Sequence, residues 1–397
     1  MNTSDILFVI FVASNSWENY TRRVHYEALT HLGKVVVLLF PNFRNRIQQF
    51  VKRDTQRSIS PHRVLRKSNL VVLRSPFMLP LKVYQSFRLI RKIQCRILRK
   101  VLKREIDRLT GTVSEAVIIF TDARQWLWWD VLENCKKCFD LTDAPWLLST
   151  KNGQERFERL YDIVWMLTHC DIAFCTSERL TDFANHFSEH AFYLPNTWED
   201  IPHPPQALPG SFRHLGGTKK KKIGFLGNIN DWLDLNLVDY IARKVHDSDL
   251  LFVGPINGSA AFRQRFGKLV NDKKLVYVGS VLQTQMGTAI DRFDVCIVPY
   301  AIDHFKIYVH PNKLYYYLSR GKPVVTTRFT PDLNTFSDLI SVARDYEDFV
   351  LKLKAALDEK NPDMVAKRKR FAMANSATER ARRRVALLLD ARDRSGG

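Results

Sequence analysis

An alternation constrains the fold of this chain more than any other feature of its sequence. Short continuous runs of Val, Ile, Leu and Phe recur through most of the 397 residues, and stretches of helical period separate them. The runs are Ile6–Val12, Val35–Phe40, Leu70–Leu73, Ala116–Phe120, Ile172–Cys175 and Ala191–Leu194. They resume at Lys222–Leu226, Leu250–Val253, Leu275–Val278, Val295–Val298 and Pro323–Thr326. Continuous apolar runs, as opposed to alternating ones, predict strands covered on both faces, the situation of a parallel sheet. Strands spaced by helices predict an α/β doubly wound architecture.

The alternation pauses over "PNTWEDIPHPPQALPGSFRHLGGTKKKK", Pro195 to Lys222, a stretch rich in Pro and Gly that ends in lysines. It reads as a linker between two Rossmann-like domains of similar size facing a central cleft. Strand C-terminal ends and helix N-termini are expected to line that cleft. The expected divisions are residues 1–205, residues 206–362 and a basic helical tail, 363–397, which is expected to cross back to the N-terminal domain.

Charge narrows the partners. The chain carries 61 Lys and Arg against 41 Asp and Glu, a net charge of +20. Such a balance calls for an anionic partner: nucleic acid, an acidic membrane surface or a phosphorylated substrate. Nucleic acid ranks last, because no zinc finger, RNA-binding signature or basic zipper is present. No apolar run reaches the roughly 18 residues of a membrane span. The residues ahead of Ile6 form no positive n-region, so no signal peptide is read and a cytoplasmic location is expected. Six cysteines without regular spacing fit a reducing compartment. Cys135-Lys-Lys-Cys138 lacks the second ligand pair of a zinc site.

Leu81–Leu109 has helical period without a neighbouring strand. Phe87, Ile90, Ile97, Leu98 and Val101 fall on one face, and Lys92, Arg96, Arg99 and Lys103 on the other. One reading is an interfacial helix whose four cations dock on anionic lipid. The other is a packed surface helix with a solvated basic face.

Three turn-rich segments follow strands in the second half. Gly224-Phe-Leu-Gly227, then Asn228, leads to a helix starting near Trp232. The next strands end at Gly254-Pro255 and at Pro299-Tyr300. Glycines at such turns let the backbone approach a ligand, and a following helix N-terminus offers free N–H groups to an anion. His310, Asn312 and Lys313 open a further helix, which ends at Gly321 in the C′ position. A lysine in the first turn opposes the helix dipole, so its placement points to a functional partner such as a diphosphate.

The order of these motifs resembles the C-terminal half of B-fold (GT-B) glycosyltransferases, and within them the bacterial teichuronic-acid and exopolysaccharide enzymes. The likeness runs over most of Lys222–Leu389, and its most specific block is "HPNKLYYYLSRGKPVV". The N-terminal half follows the family order more weakly, through "SWENYTRRVHYEALTHLG", "CFDLTDAPW", "LTHCDIAFCTSERL" and "YLPNTWE". The resemblance implies sugar transfer from a nucleotide sugar, a UDP-sugar, to a lipid-linked or polysaccharide acceptor at the inner face of the cell membrane. It implies no cofactor and no bound metal, and Asp247-Ser-Asp249, in a turn before a strand, is read as solvated. The donor-binding residues would be Gly227, Asn228, Gly254, Pro255, Pro299, Tyr300, His310, Asn312, Lys313 and Tyr316. Lys313 would stabilise the leaving diphosphate. Asp143 would be the base that deprotonates the acceptor, with Asp140 as runner-up and His25 and Glu18 as further acceptor-side candidates. The sequence departs from the family at Tyr316, where a glutamate usually receives the ribose hydroxyls, and at His310, usually asparagine. Two alternatives follow: a sugar-nucleotide-binding protein without turnover, or a nucleotide-sugar epimerase.

Overall fold

The computed structural model describes residues 5–14, 16–18, 20, 22–40, 62–76, 78–109, 113, 115–144, 146–147, 153–199, 207–210, 212 and 220–394. The expected linker therefore lies largely outside the described residues. The chain divides into two compact units, Met1–Pro195 with Ala377–Gly397, and Asn196–Ser376.

Unit 1 is built on eight strands: β1 (Ile6–Val12), β2 (Lys34–Leu39), β3 (His62–Arg66), β4 (Leu70–Arg74), β5 (Glu115–Phe120), β6 (Lys136–Leu141), β7 (Ile172–Cys175) and β8 (Ala191–Tyr193). They lie in the order β3-β4-β2-β1-β5-β6-β7-β8. All neighbours are parallel except β3, which pairs antiparallel with β4 at the edge. Every residue of β1 is buried, which is why its seven apolar residues do not alternate with polar ones. The strand β3, "HRVLR", was not expected, because it has only two apolar residues and no continuous run.

The helices of this unit include α1 (Arg23–Glu27), α2 (Leu81–Ser86), α3 (Arg88–Ile106), α4 (Gly153–His169) and α5 (Glu178–Ala184). The single helix expected over Leu81–Leu109 is two, because Phe87 between them is extended at φ −120°, ψ 93°. Its apolar face is also placed differently. The stripe that α3 buries contains Cys95, Leu98 and Leu102, whereas Phe87 and Ile97 are exposed. The reason lies in a short 3-10 helix, Ala123–Trp128, and the turn after it. Cys95 Sγ lies 3.7 Å from Leu127 O, and Arg99 donates to Val131 O at 3.1 Å and Asp130 O at 2.7 Å. The C-terminal helix, Ala377–Arg394, contributes Ala377, Ala381, Val385 and Leu388 to the core of this unit.

Unit 2 has six strands: β9 (Lys221–Leu226), β10 (Ser248–Val253), β11 (Val276–Gly279), β12 (Val295–Val298), β13 (Val324–Thr327) and β14 (Ser341–Ala343). Their order, β11-β10-β9-β12-β13-β14, is all parallel. Numbered within the unit this is 3-2-1-4-5-6, the doubly wound order whose direction reverses between β9 and β12. The edge strand β14, a three-residue "SVA", was not expected. The helices are α6 (Leu235–Lys244), α7 (Ala260–Asn271), α8 (Met286–Asp291), α9 (Asn312–Ser319), α10 (Tyr346–Leu357) and α11 (Pro362–Ala374). α6 begins three residues later than expected, because Asp234 caps it by accepting from the amides of Asn236 and Leu237.

Candidate functional site

The reversal point of unit 2 gathers the loops after β9, β10 and β12 with the first turn of α9. Gly227 and Gly254 have φ of +147° and +140°, a region that side-chain-bearing residues rarely adopt. Their lack of a Cβ is needed for space as well. A Cβ on Gly254 would lie 1.9 Å from Gly227 O, and one on Gly227 would lie 2.3 Å from Lys313 Cε. The two loops and the Lys313 stem are therefore in van der Waals contact. Gly224 has a different purpose: a Cβ there would meet the Phe293 ring at 2.1 Å, so it serves the core and not a ligand.

Lys313 Nζ donates to the Tyr300 hydroxyl at 2.6 Å and lies over the rings of Tyr300 and Phe225, at 5.3 and 5.6 Å from their centroids. Among the described residues no carboxylate pairs with it. The half-buried ammonium thus sits against a neutral acceptor and two π faces, and its charge remains available to an anion. Asn228 Oδ1 accepts from Asn257 Nδ2 at 2.8 Å, and Ile229 N donates to Pro255 O at 2.9 Å, so the β9 and β10 loops are tied together. Pro299 O accepts from Asp234 N at 2.9 Å, which fixes the end of β12 to the start of α6. Asn312 is exposed at the first position of α9.

His310 is placed differently from the expectation of a donor contact. Its ring is buried, with Nδ1 2.8 Å from Asp332 Oδ2 and Nε2 2.9 Å from the Tyr315 hydroxyl. Both nitrogens are engaged inside the unit, so the ring holds the turn before α9 and does not face a ligand. Of the three tyrosines, Tyr315 and Tyr317 are buried; the Tyr317 hydroxyl accepts from Leu226 N at 2.9 Å and donates to Leu226 O at 3.2 Å. Tyr316 is half-buried and packs edge-on against Trp198, centroids 6.4 Å apart. Asp249 lies in β10 at the end of the strand opposite Gly254. Among the described residues, no three His, Cys, Asp or Glu side chains cluster as metal ligands.

In unit 1, Asp143 follows β6 with φ +58°. Its surface is solvent-exposed, yet enough protein surrounds the carboxyl that desolvation raises its pKa, with the nearby Arg22 guanidinium acting in the opposite direction. Asp140 differs in kind. It is buried, and its oxygens accept from Arg384 Nη1 at 2.6 Å, Arg384 Nη2 at 2.9 Å and the Tyr26 hydroxyl at 2.6 Å; Arg22 lies 3.7 Å away. Burial alone would raise its pKa, but the two arginines and the hydrogen bonds hold it below the usual value. A carboxylate so fully engaged is a structural ion pair and not a base, which removes the runner-up. His25 is buried, and Glu18 is exposed and accepts from Ser16 Oγ at 2.9 Å.

No family model matches the chain. Among solved structures, a sucrose-phosphate synthase from Thermosynechococcus elongatus superposes with a TM-score of 0.68 at 13% identity, covering 97% of this chain and 98% of that one. The Anabaena protein HepE, solved in complex with UDP, superposes with a TM-score of 0.61 at 12% identity, covering 97% and 100%. This chain has the GT-B glycosyltransferase fold. In sequence it is similar to TuaH of Bacillus subtilis, described provisionally as a teichuronic acid biosynthesis glycosyltransferase, with 30% identity over 115 residues. That match spans 28% of this chain and 28% of TuaH.

Within this GT-B frame, the glycine pair, Tyr300 and Lys313 assemble as one constellation in unit 2. Asp143 stands by itself in unit 1 beside Arg22. Sequence reasoning missed Arg22 and Arg384, the two cations around Asp140. Arg384 had a signal, since it lies between Ala381, Val385 and Leu388 on the side of the C-terminal helix that becomes buried. Arg22 had none, being one of two adjacent arginines at the start of α1.

Proposed function

We propose that this protein transfers a glycosyl group from a nucleoside diphosphate sugar, a UDP-sugar, held by unit 2, to a hydroxyl of a lipid-linked or polysaccharide acceptor. One observation carries the reading: Lys313, with no carboxylate partner among the described residues, is pressed against Gly227, itself abutted by Gly254, at the reversal point of a doubly wound sheet. A diphosphate there would receive the ammonium and lie close against the glycine backbone, whose own N–H groups at Gly227 and Gly254 already donate to Val253 O and Gly279 O. The UDP bound by HepE favours the same donor class.

In such a transfer the bond from the anomeric carbon to the diphosphate oxygen breaks as the bond to the acceptor oxygen forms. Negative charge grows on the departing diphosphate, and a fixed cation beside it lowers the barrier. Lys313 serves in that role, so that no metal is required. Asp143 takes the acceptor proton, for which a raised pKa is suited. The acceptor side operates at the inner membrane face, where the exposed Lys92, Arg96 and Lys103 favour anionic lipid. Arg99 contributes less, because it is committed to the backbone and to Glu133 at 2.7 Å. No described helix is long and apolar enough to cross a membrane.

Tyr316 favours the second reading, a sugar-nucleotide-binding protein without turnover, since it removes a carboxylate from the donor side. Thermal unfolding with and without UDP, followed by a UDP-sugar turnover assay, separates the two. The expected result is a UDP-dependent rise in Tm that Lys313→Ala abolishes, together with UDP release that depends on acceptor. Stabilisation without turnover establishes the second reading, and no response to UDP overturns both.

A further inference from the structure

Six large apolar side chains on unit 1 face solvent from two helices: Phe87, Leu89, Ile93 and Ile97 at and on α3, and Phe157 and Tyr161 on α4. Their exposures are 58, 72, 47, 40, 70 and 58%. Leu89, Ile93 and Ile97 recur every four residues, so they form one stripe. It lies opposite the buried stripe of Cys95, Leu98 and Leu102, where a surface helix ordinarily carries polar residues. The core of the unit therefore gives no reason for it.

The two exposed sets are joined through the short 3-10 helix Ala123–Trp128. Arg91 of α3 lies over the Trp126 ring at 5.3 Å, and Trp126 Nε1 donates to Asp162 of α4 at 2.7 Å. Trp126 also packs against Trp165 of α4, centroids 5.4 Å apart, and both rings are half-buried. Half-buried indoles, that of Trp126 with its N–H satisfied, beside exposed aliphatics form the arrangement that suits the boundary between water and acyl chains.

We infer that α3, the 3-10 helix and α4 form a bilayer-docking platform, with the Leu89, Ile93 and Ile97 stripe inserting among the lipids. The inference rests on the membrane-side reading above and names the surface that meets the membrane. Charge selects the occupant. Lys92, Arg96, Lys100 and Lys103 are exposed along the stripe, and α3 has one acidic residue, the buried Glu105, paired with Arg108 at 2.5 Å. The exposed carboxylates of α4, Glu155 and Glu158, are engaged within that helix by Arg159 at 2.6 Å and Gln154 at 3.2 Å. A second copy docking through the α3 stripe would therefore set its cations against themselves, whereas an anionic leaflet accepts both the apolar stripe and its cations.

The test is vesicle flotation of the full chain with phosphatidylcholine alone and with phosphatidylcholine mixed with phosphatidylglycerol. The wild type is expected to float with the mixed vesicles and to retain part of its binding at high salt. Leu89→Ser/Ile93→Ser/Ile97→Ser, all at exposed positions, is expected to lower partitioning by at least roughly tenfold. Lys92→Gln/Arg96→Gln/Lys103→Gln is expected to remove mainly the salt-sensitive part. Wild-type failure to float, or serine-variant binding equal to wild type, overturns the inference. So does a wild-type dimer that the serine substitutions dissolve, which would make a second copy the occupant. UDP-dependent Tm is recorded on the same samples: an intact UDP response without flotation defeats the platform alone, and flotation without a UDP response defeats the donor reading alone.

Discussion

The Lys313 ammonium and the Tyr300 hydroxyl, 13 residues apart in sequence, meet at 2.6 Å where the sheet of unit 2 reverses its order. The hydroxyl orients the lysine without neutralising it. Tyr300→Phe is therefore expected to keep UDP binding but weaken it about tenfold or more, as removal of a hydrogen bond to a charged group costs about 1.5–3 kcal/mol. Lys313→Ala should abolish binding altogether. Titration calorimetry with UDP reads both.

Gly227→Ala adds a Cβ where Lys313 Cε already stands and forces φ +147° on a residue that resists it. The expected cost is about 1–3 kcal/mol of stability, accompanied by displacement of the lysine and loss of UDP binding. Urea unfolding measures the first and calorimetry the second.

Tyr316 stands where the glycosyltransferases that this chain resembles usually carry a glutamate, and its hydroxyl can replace a carboxylate there only as a neutral partner of the ribose. If it does, Tyr316→Phe weakens UDP several-fold and leaves the affinity for inorganic pyrophosphate unchanged. Equal affinities for UDP in the two proteins would assign Tyr316 to packing against Trp198 alone.

Asp143→Asn is expected to lower turnover by about 10²–10⁴ with little change in UDP affinity. Desolvation by the surrounding protein raises the Asp143 pKa, against the opposing Arg22, so wild-type activity should rise with pH through a value above that of an ordinary carboxylate. That acid limb should vanish from the residual activity of the variant.

Asp140 and Arg384 predict stability. Removing either partner leaves a buried charge, and Arg384→Met is expected to cost about 3–5 kcal/mol. The Asp140 pKa is lowered in the folded state, so its contribution is fully present above the unfolded value near 4 and is lost as pH falls through the lower folded value. Wild type should therefore lose stability in acid more steeply than Asp140→Asn, measured by urea unfolding across the acid range.

Much of the fold was legible. Ile6–Val12, Ile172–Cys175 and Val295–Val298 were read to the residue, because a strand buried on both faces must be apolar throughout. β3, β6 and β14 were not among the apolar runs: β3 and β14 are short edge strands, and β6, although central, opens with two lysines and carries Asp140. On the site, positive-φ glycines at strand ends announce themselves, since backbone conformation is a local property. The inward turn of His310 was invisible, because its partner Asp332 comes from another segment 22 residues away.

The sequence by itself determined the doubly wound class, the strand runs and the positions of the donor-side loops, all consequences of local pattern and backbone freedom. Tertiary structure alone decided which face of Arg88–Ile106 is buried, since its sequence offers two apolar stripes and only the backbone carbonyls of residues 127–131 choose between them. It also decided that Asp140, three residues from Asp143 and of the same chemistry, is a structural anion. That follows from Arg384, 244 residues further along the chain, whose two hydrogen bonds no local reading of "FDLTDAPW" contains.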